Sequence, residues 1–276
     1  MKPLRCVLFF PATRPDRYEK ALRSGADGVC MDLEDAVALN DKERGRTEAL
    51  GLLKAGKPNR KVTIVRVNDP KTKLGRKDID AVGRAEISPD AIMLPKVDSP
   101  EDVLGVDGPL VEGGLRVPLI PVIETALGLS LVEKIATCSA SVCAILFGGV
   151  DLSTELGAAI GWDELLYARS RVVHAAALAG IDTIDMPVLD ISSPSMLENE
   201  VVAVRRLGFT GKAAIHPSQV NIIQEQFSPD EAEIAEARRL IEAYEAQSGG
   251  AFLLDGVMVD LAVIKAARRI MERING

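Results

Sequence analysis

Leu119–Ser153 reads LIPVIETALGLSLVEKIATCSASVCAILFGGVDLS, and the rest of the chain is built on the same plan. Two apolar strand-like runs, Leu119–Ile123 and Ala144–Phe147, each lead into a small polar turn carrying one acidic residue. Glu124 directly follows the first run, and Asp151 comes a few residues after the second, on a Gly-Gly turn. If both runs are parallel strands of one sheet, both carboxylates leave at its carboxyl edge. Two hard oxygen donors there make a site for a small divalent cation with open positions for a ligand. The competing reading makes Glu124 a helix cap and Asp151 a turn residue.

Outward from this stretch, short apolar runs alternate with longer amphipathic ones along the chain. Strands are expected at Val7–Phe9, Val29–Met31, Thr63–Val67, Ala91–Leu94, Leu119–Ile123, Ala144–Phe147, Thr183–Asp185 and Ala213–Ile215. The helices between and after them are expected at Pro15–Ser24, Lys42–Leu53, Asp78–Ala85, Pro100–Val111, Ala126–Thr137, Asp163–Ala179, Ser195–Leu207 and Gln219–Gln226. Eight strand–helix units in about 220 residues predict an α/β fold, a closed (β/α)8 TIM barrel. An open doubly wound sheet is the competitor, but no GxGxxG follows the first strand. No Pro/Gly/Ser-rich linker divides the chain. Residues 1–227 are therefore expected to form the catalytic barrel and residues 228–276 a C-terminal helical extension of the same domain. In that extension a helix over Pro229–Gln247, a Gly-Gly break, the segment AFLLDGVMVD and a last helix over Leu261–Ile274 need something to pack on. They cover the barrel or reach a neighbouring subunit.

With 276 residues the chain can bury a large core. A net charge of −7 argues against nucleic acid as a partner. The start, MKPLRCVLFFPATRPDRYEK, has a short apolar run cut by Pro11 and reads as neither signal nor transit peptide. No run approaches the roughly 18 apolar residues of a membrane helix, so no membrane role is expected. Cys6, Cys30, Cys138 and Cys143 form no CxxC pair and are expected to be buried free thiols in a reducing cytoplasm. The two histidines show no zinc-ligand spacing.

In a barrel of this kind the active site forms where the strands end. Arg14 and Arg17 follow strand one, near a helix start that favours anions. Asp32, Glu34 and Asp35 follow strand two, Arg66 and Asn68 end strand three, and Lys96 ends strand four. Glu124 and Asp151 come from strands five and six, Asp190 follows strand seven, and His216 ends strand eight. Arg66 alternates with two valines, so it points into the barrel mouth or outward past a helix. Pointing inward, it is shaped to clamp a carboxylate through two parallel hydrogen bonds, with the DLED cluster and Glu124 balancing its charge. Structural ion pairing is the alternative for Asp32, Glu34, Asp35 and Lys96. His174, on an alanine-rich helix, is expected to be a packing residue. His216, held extended before Pro217, is expected to line the site.

The segments FPATRPDRYEKA, GADGVCMDLEDAV, VRVN, IMLPKV, PVIETALGL, FGGVDLSTELGA and GKAAIHPSQV, in this order, resemble the citrate lyase β-subunit-like (CitE-like) family of the HpcH/HpaI aldolase group. YARSRVV and DGVMVD followed by a helix are similar to it as well. The resemblance runs over essentially the whole chain. It implies a (β/α)8 barrel, a homotrimer, Mg2+ as cofactor, and C–C bond cleavage or formation beside a coenzyme A thioester. The metal ligands it implies are Glu124 and Asp151, and the substrate-carboxylate arginine is Arg66. Contacts to the thioester cofactor would come from Arg14, Arg17, Ile215 and His216. An aspartate from a neighbouring subunit, matching Asp260, would complete the site as acid–base; capping the last helix is the other reading of Asp260. Ser193 stands where many members carry a second acidic residue. The expected activity is cleavage of a β-hydroxyacyl-CoA, such as malyl-CoA or citramalyl-CoA, to an acyl-CoA and a 2-oxo acid. The alternatives are a malyl-CoA-type thioesterase, a citrate lyase β subunit acting on an acyl-carrier protein, a free-acid aldolase, and a non-enzymatic metabolite-binding or scaffold subunit.

Overall fold

A computed structural model describes residues 3–56, 61–247 and 250–275. Eight parallel strands close into a barrel in sequence order: β1 (Cys6–Pro11), β2 (Gly28–Asp32), β3 (Val62–Arg66), β4 (Ala91–Leu94), β5 (Leu119–Ile123), β6 (Ala144–Phe147), β7 (Asp182–Asp185) and β8 (Gly211–Ala214). The helices are α1 (Tyr18–Arg23), α2 (Lys42–Ala55), α3 (Lys73–Gly83), α4 (Pro100–Glu112), α5 (Ala126–Ser130), α6 (Val132–Thr137), α7 (Gly149–Leu156), α8 (Trp162–Ala179), α9 (Pro194–Leu207), α10 (Ser218–Phe227), α11 (Glu231–Ala246) and α12 (Leu261–Asn275). The expected (β/α)8 barrel is the observed one.

Strand alternation sorts the apolar residues into two cores. Val7, Cys30, Ile64, Met93, Ile120, Val122, Leu146, Ile184 and Ala213 fill the barrel interior. The intervening residues, among them Leu8, Met31, Val65, Ile92, Ile123 and Phe147, pack outward against the helices.

Several boundaries differ from the sequence expectation for identifiable reasons. β8 begins at Gly211, where a Cβ would lie 1.9 Å from the Leu4 carbonyl oxygen, so the glycine of GFTGK belongs to the strand and not to the turn. α3 starts at Lys73, ahead of the expected Asp78, because the Thr72 hydroxyl accepts from Gly75 N and caps an otherwise charged first turn. The helix expected over Ala126–Thr137 breaks at Leu131 into α5 and α6. Pro15–Arg17 forms a single 3-10 turn before α1.

In the extension, α11 opens on an Asp230–Glu233 capping box and packs on α12. AFLLDGVMVD is a β-hairpin, β9 (Phe252–Leu254) and β10 (Val257–Val259), turned by Asp255 and Gly256, both at positive φ. Of the Gly-Gly break, Gly249 lies outside the described residues. Val259, Ile264 and Ala267 are buried, whereas Leu253, Val257, Met258 and Leu261 are exposed. The Arg205–Glu233 ion pair, at 2.7 Å, ties the start of α11 to α9. Among the described residues no helix is long and apolar enough to cross a membrane.

Candidate active site

Arg66 keeps the phase of Val62 and Ile64, which face the barrel interior, so its side chain rises into the mouth. Asp32 holds the same position one strand over, paired with Arg66 in the β2–β3 register. The two form a bidentate pair, Nε to Oδ1 at 2.7 Å and Nη2 to Oδ2 at 2.6 Å. Asp32 also accepts from Glu34 N and Ala36 N, which fixes the carboxylate before it meets the arginine. The Arg66 guanidinium stacks 5.5 Å from the Phe9 ring centroid. Burial opposes its charge, but the bond to Asp32 and the nearby carboxylates hold its pKa above the ordinary arginine value. Lys42 fastens the DLED loop from outside by donating to the Leu33 and Glu34 carbonyls, a contact that sequence spacing did not signal.

Glu124 continues the inward phase of Ile120 and Val122, just past β5. Its neighbour across the β5–β6 edge is Gly148, where a Cβ would sit 2.4 Å from the Glu124 Cβ. Only glycine leaves room for that carboxylate. Asp151 lies not on a free turn but in the first turn of α7, where a helix N-terminus favours a negative charge.

Lys96 joins these groups. Its backbone adopts the left-handed region at φ 54°, unusual for a non-glycine residue. From there its N–H donates to Glu124 Oε1 at 2.7 Å, while Nζ lies 2.6 Å from Asp151 Oδ2. The same ammonium is 3.7 Å from both Glu124 Oε1 and Glu34 Oε1. Burial pushes the Glu34 carboxyl up to about 8, against the opposing pull of Arg66. Glu34 Oε2, 3.0 Å from Arg66 Nη1, makes no hydrogen bond. Burial likewise raises the Glu124 pKa, with Lys96 opposing and Asp151 adding like-charge repulsion.

Asp32, Arg66, Glu124 and Asp151 line one cavity of about 480 Å3 at the carboxyl end of the barrel. Its floor is apolar, from Val122, Leu146 and Ala213, while Arg66, Glu124 and Asp151 converge from three strand ends. Arg17 and Ile215 also line it. Arg14 is turned away into an exposed pair with Asp16, at 2.7 Å. His216 does not line the cavity either: its Nδ1 is held by Ser218 beside an exposed ring. Gln219, unflagged by sequence, braces this strand end through Ile215 N and the Val188 carbonyl. Asp190 is taken up by Ser192. His174 is not a packing residue, because its side chain is 70% exposed beside Glu133. Asp260 caps α12 through Ala262 N and Val263 N. Cys6 and Cys30 are buried free thiols as expected, but Cys138 and Cys143 are only partly covered.

The donor set fits a small divalent cation. Mg2+ is commonly held by one or two carboxylates and completes its octahedron with water and ligand oxygens. Among the described residues no cluster of three or more protein ligands gathers, so any ion here would leave several positions to others. The Lys96 ammonium, 2.6 Å from Asp151 and 3.7 Å from Glu124, lies where their oxygens converge.

The model of the HpcH/HpaI aldolase/citrate lyase family matches residues 5–217. The chain is similar to mitochondrial citramalyl-CoA lyase of Rattus norvegicus, 32% identical over 290 residues, covering 98% of this chain and 85% of the relative. It is also similar to L-malyl-CoA/beta-methylmalyl-CoA lyase of Cereibacter sphaeroides, 34% identical over 304 residues, covering 99% and 95%. Among solved structures, the CitE protein of Mycobacterium tuberculosis in complex with magnesium, acetoacetate and coenzyme A matches with a TM-score of 0.82. That match has 29% identity and covers 100% of this chain and 98% of the other. An eight-stranded barrel with acids and one braced arginine at its mouth, and relatives alike over nearly its whole length, establish that the chain belongs to the HpcH/HpaI aldolase/citrate lyase family.

Proposed function

We propose that the chain is a Mg2+-dependent C–C lyase that cleaves or forms a β-hydroxyacyl-CoA of the malyl-CoA or citramalyl-CoA type. The observation that carries this is the meeting of Arg66, Glu124 and Asp151 in one cavity, with Arg66 already clamped from behind by Asp32. Glu124 and Asp151 hold the cation. When bound, Mg2+ supplies Lewis acidity toward the keto or hydroxyl oxygen of the 2-oxo acid half. Asp32 takes Nε and Nη2 of Arg66 and Glu34 lies 3.0 Å from Nη1, so the guanidinium is held in place at the cavity to orient the substrate carboxylate and keep the breaking bond aligned. The apolar floor of Val122, Leu146 and Ala213 keeps bulk water from the reacting carbons.

The acyl-CoA enters past Arg17 and Ile215 at the rim, with Arg14 and His216 as outer contacts. Asp260 of a neighbouring copy supplies the acid–base group at the carbon that becomes the enolate. Both cap bonds of Asp260 fall on Oδ1, so Oδ2 serves that role without uncapping α12. The exposed Leu253, Val257 and Met258 of the hairpin, with Leu261 at the start of α12, give an apolar face for the next subunit, in a homotrimer where residues 228–276 act as an exchanged lid over barrel 1–227. A cytoplasmic location goes with this reading.

The test is product analysis on purified protein with Mg2+ and a panel of malyl-CoA, citramalyl-CoA and β-methylmalyl-CoA. Acyl-CoA and 2-oxo acid formed in equal amounts support the lyase. Free CoA with an intact hydroxy acid identifies a thioesterase instead.

A further inference from the structure

Among the described residues, Lys96 is the cation whose ammonium pairs with both Asp151, at 2.6 Å, and Glu124, at 3.7 Å, the two carboxylates proposed above to hold the metal, and the lyase steps proposed above do not use it. Its placement follows from its backbone. The left-handed region is unfavourable for an L-residue other than glycine, and this conformation brings the N–H and the ammonium of one residue to the same pair of acids. The N–H fixes Glu124 Oε1 at 2.7 Å; the ammonium approaches Asp151 Oδ2 to 2.6 Å and Glu124 Oε1 to 3.7 Å. The side chain is 37% exposed, so its four-carbon stem can swing toward solvent without unpacking the barrel.

The charges around it lead to a definite sign. Arg66 is taken up by Asp32 through two short bonds and by Glu34 at 3.0 Å, which leaves Lys96 as the ammonium facing Glu124 and Asp151. A divalent ion placed between Glu124 and Asp151 would meet a positive charge within a few ångströms, where Coulomb repulsion is large on the scale of binding even at an effective dielectric of about 20. The ammonium must therefore leave or weaken the ion's binding.

We infer that Lys96 is a tethered counter-ion: its ammonium occupies the place of the divalent cation between Glu124 and Asp151 and competes with it. The N–H bond to Glu124 is independent of the side chain and stays in place when the ammonium is displaced. Lys96 is thus a positioning residue that lowers intrinsic metal affinity while keeping the two acids together in the metal-free enzyme. Resting on the proposed metal site, the inference is tested without turnover.

Mn2+ alone serves as the probe, with dissociation constants measured by electron paramagnetic resonance on EDTA-stripped wild type, Lys96→Met, Lys96→Gln and Lys96→Arg. Met keeps the stem without charge, Gln guards against misfolding of the Met variant, and Arg keeps the charge. Loss of the competing cation should tighten Mn2+ binding by about tenfold or more in the Met and Gln variants, with Arg staying within about threefold of wild type. Unchanged or weaker binding in Met and Gln, alongside measurable binding by wild type, overturns the counter-ion role. No Mn2+ binding by wild type or any variant overturns the metal site itself, and the inference with it.

Discussion

Gly148 and Glu124 show how tightly the mouth is specified at the level of single residues. A methyl group at 148 would press within 2.4 Å of the Glu124 Cβ. Gly148→Ala is therefore expected to shift the carboxylate and lower kcat by about a hundredfold, the usual cost of misplacing a reacting group by about an ångström. Steady-state kinetics beside a thermal melt checks this, and normal kcat in a folded variant contradicts it. Arg66→Lys removes the fork that Asp32 holds, so KM for the 2-oxo acid in the condensation direction should rise about tenfold or more. Glu34 makes a prediction about stability. Burial lifts its carboxyl from 4.5 to about 8, so between those values the folded state keeps a proton that the unfolded chain gives up. Stability in EDTA should fall as pH rises through that window, and Glu34→Gln should flatten the slope of urea midpoints against pH. At this scale the sequence was partly legible. Arg66, Glu124 and Asp151 could be picked out because strand phase and strand ends assign them. Lys96 could only be noticed as a strand-end charge, because its contacts depend on a positive φ that no neighbouring glycine announces.

Between elements, the barrel wall carries a buried ionic network that plays no part in the proposed chemistry. Asp185 on β7 accepts from Arg169 of α8 at 2.9 Å and from Lys212 of β8 at 2.5 Å. Lys212 reaches on to Glu200 of α9 at 2.7 Å, and Arg169 stacks between Phe147 and Trp162. Removing the shared acid leaves two buried cations with Glu200 alone, 2.7 Å from Lys212 and 3.4 Å from Arg169. Asp185→Asn should cost about 3–5 kcal/mol in denaturant unfolding while leaving metal binding by the folded fraction unchanged. Helices and strands were legible because their periods differ. Their joints were not: the glycines of FGGVDLS signal a turn where α7 in fact starts, so Asp151 sits at a helix N-terminus and not on a turn. Asp185, Lys212 and Arg169 gave no sign of one another, because the contact is made by the closing of the barrel and not by spacing along the chain.

For the whole molecule, closure of the barrel was readable from eight repeated units, whereas the exchanged lid proposed for residues 228–276 would need a second copy. If Asp260 of one subunit serves the cavity of the next, Glu124→Gln and Asp260→Asn proteins, each inactive alone, should regain part of the wild-type activity after co-refolding into mixed assemblies. Persistent inactivity in assemblies proven to be mixed contradicts an exchanged lid. Met258→Glu, on the exposed face of the hairpin, should shift the protein toward monomer in sedimentation velocity. The central claim is that Glu124 and Asp151 hold the cation opposite Arg66. Its most direct measurement is anomalous diffraction from crystals grown with Mn2+ and pyruvate. The predicted result is one manganese peak at about 2.0–2.2 Å from a carboxylate oxygen of each acid, with the pyruvate carboxylate on Arg66. A peak bound elsewhere, or pyruvate bound without contact to Arg66, would contradict it.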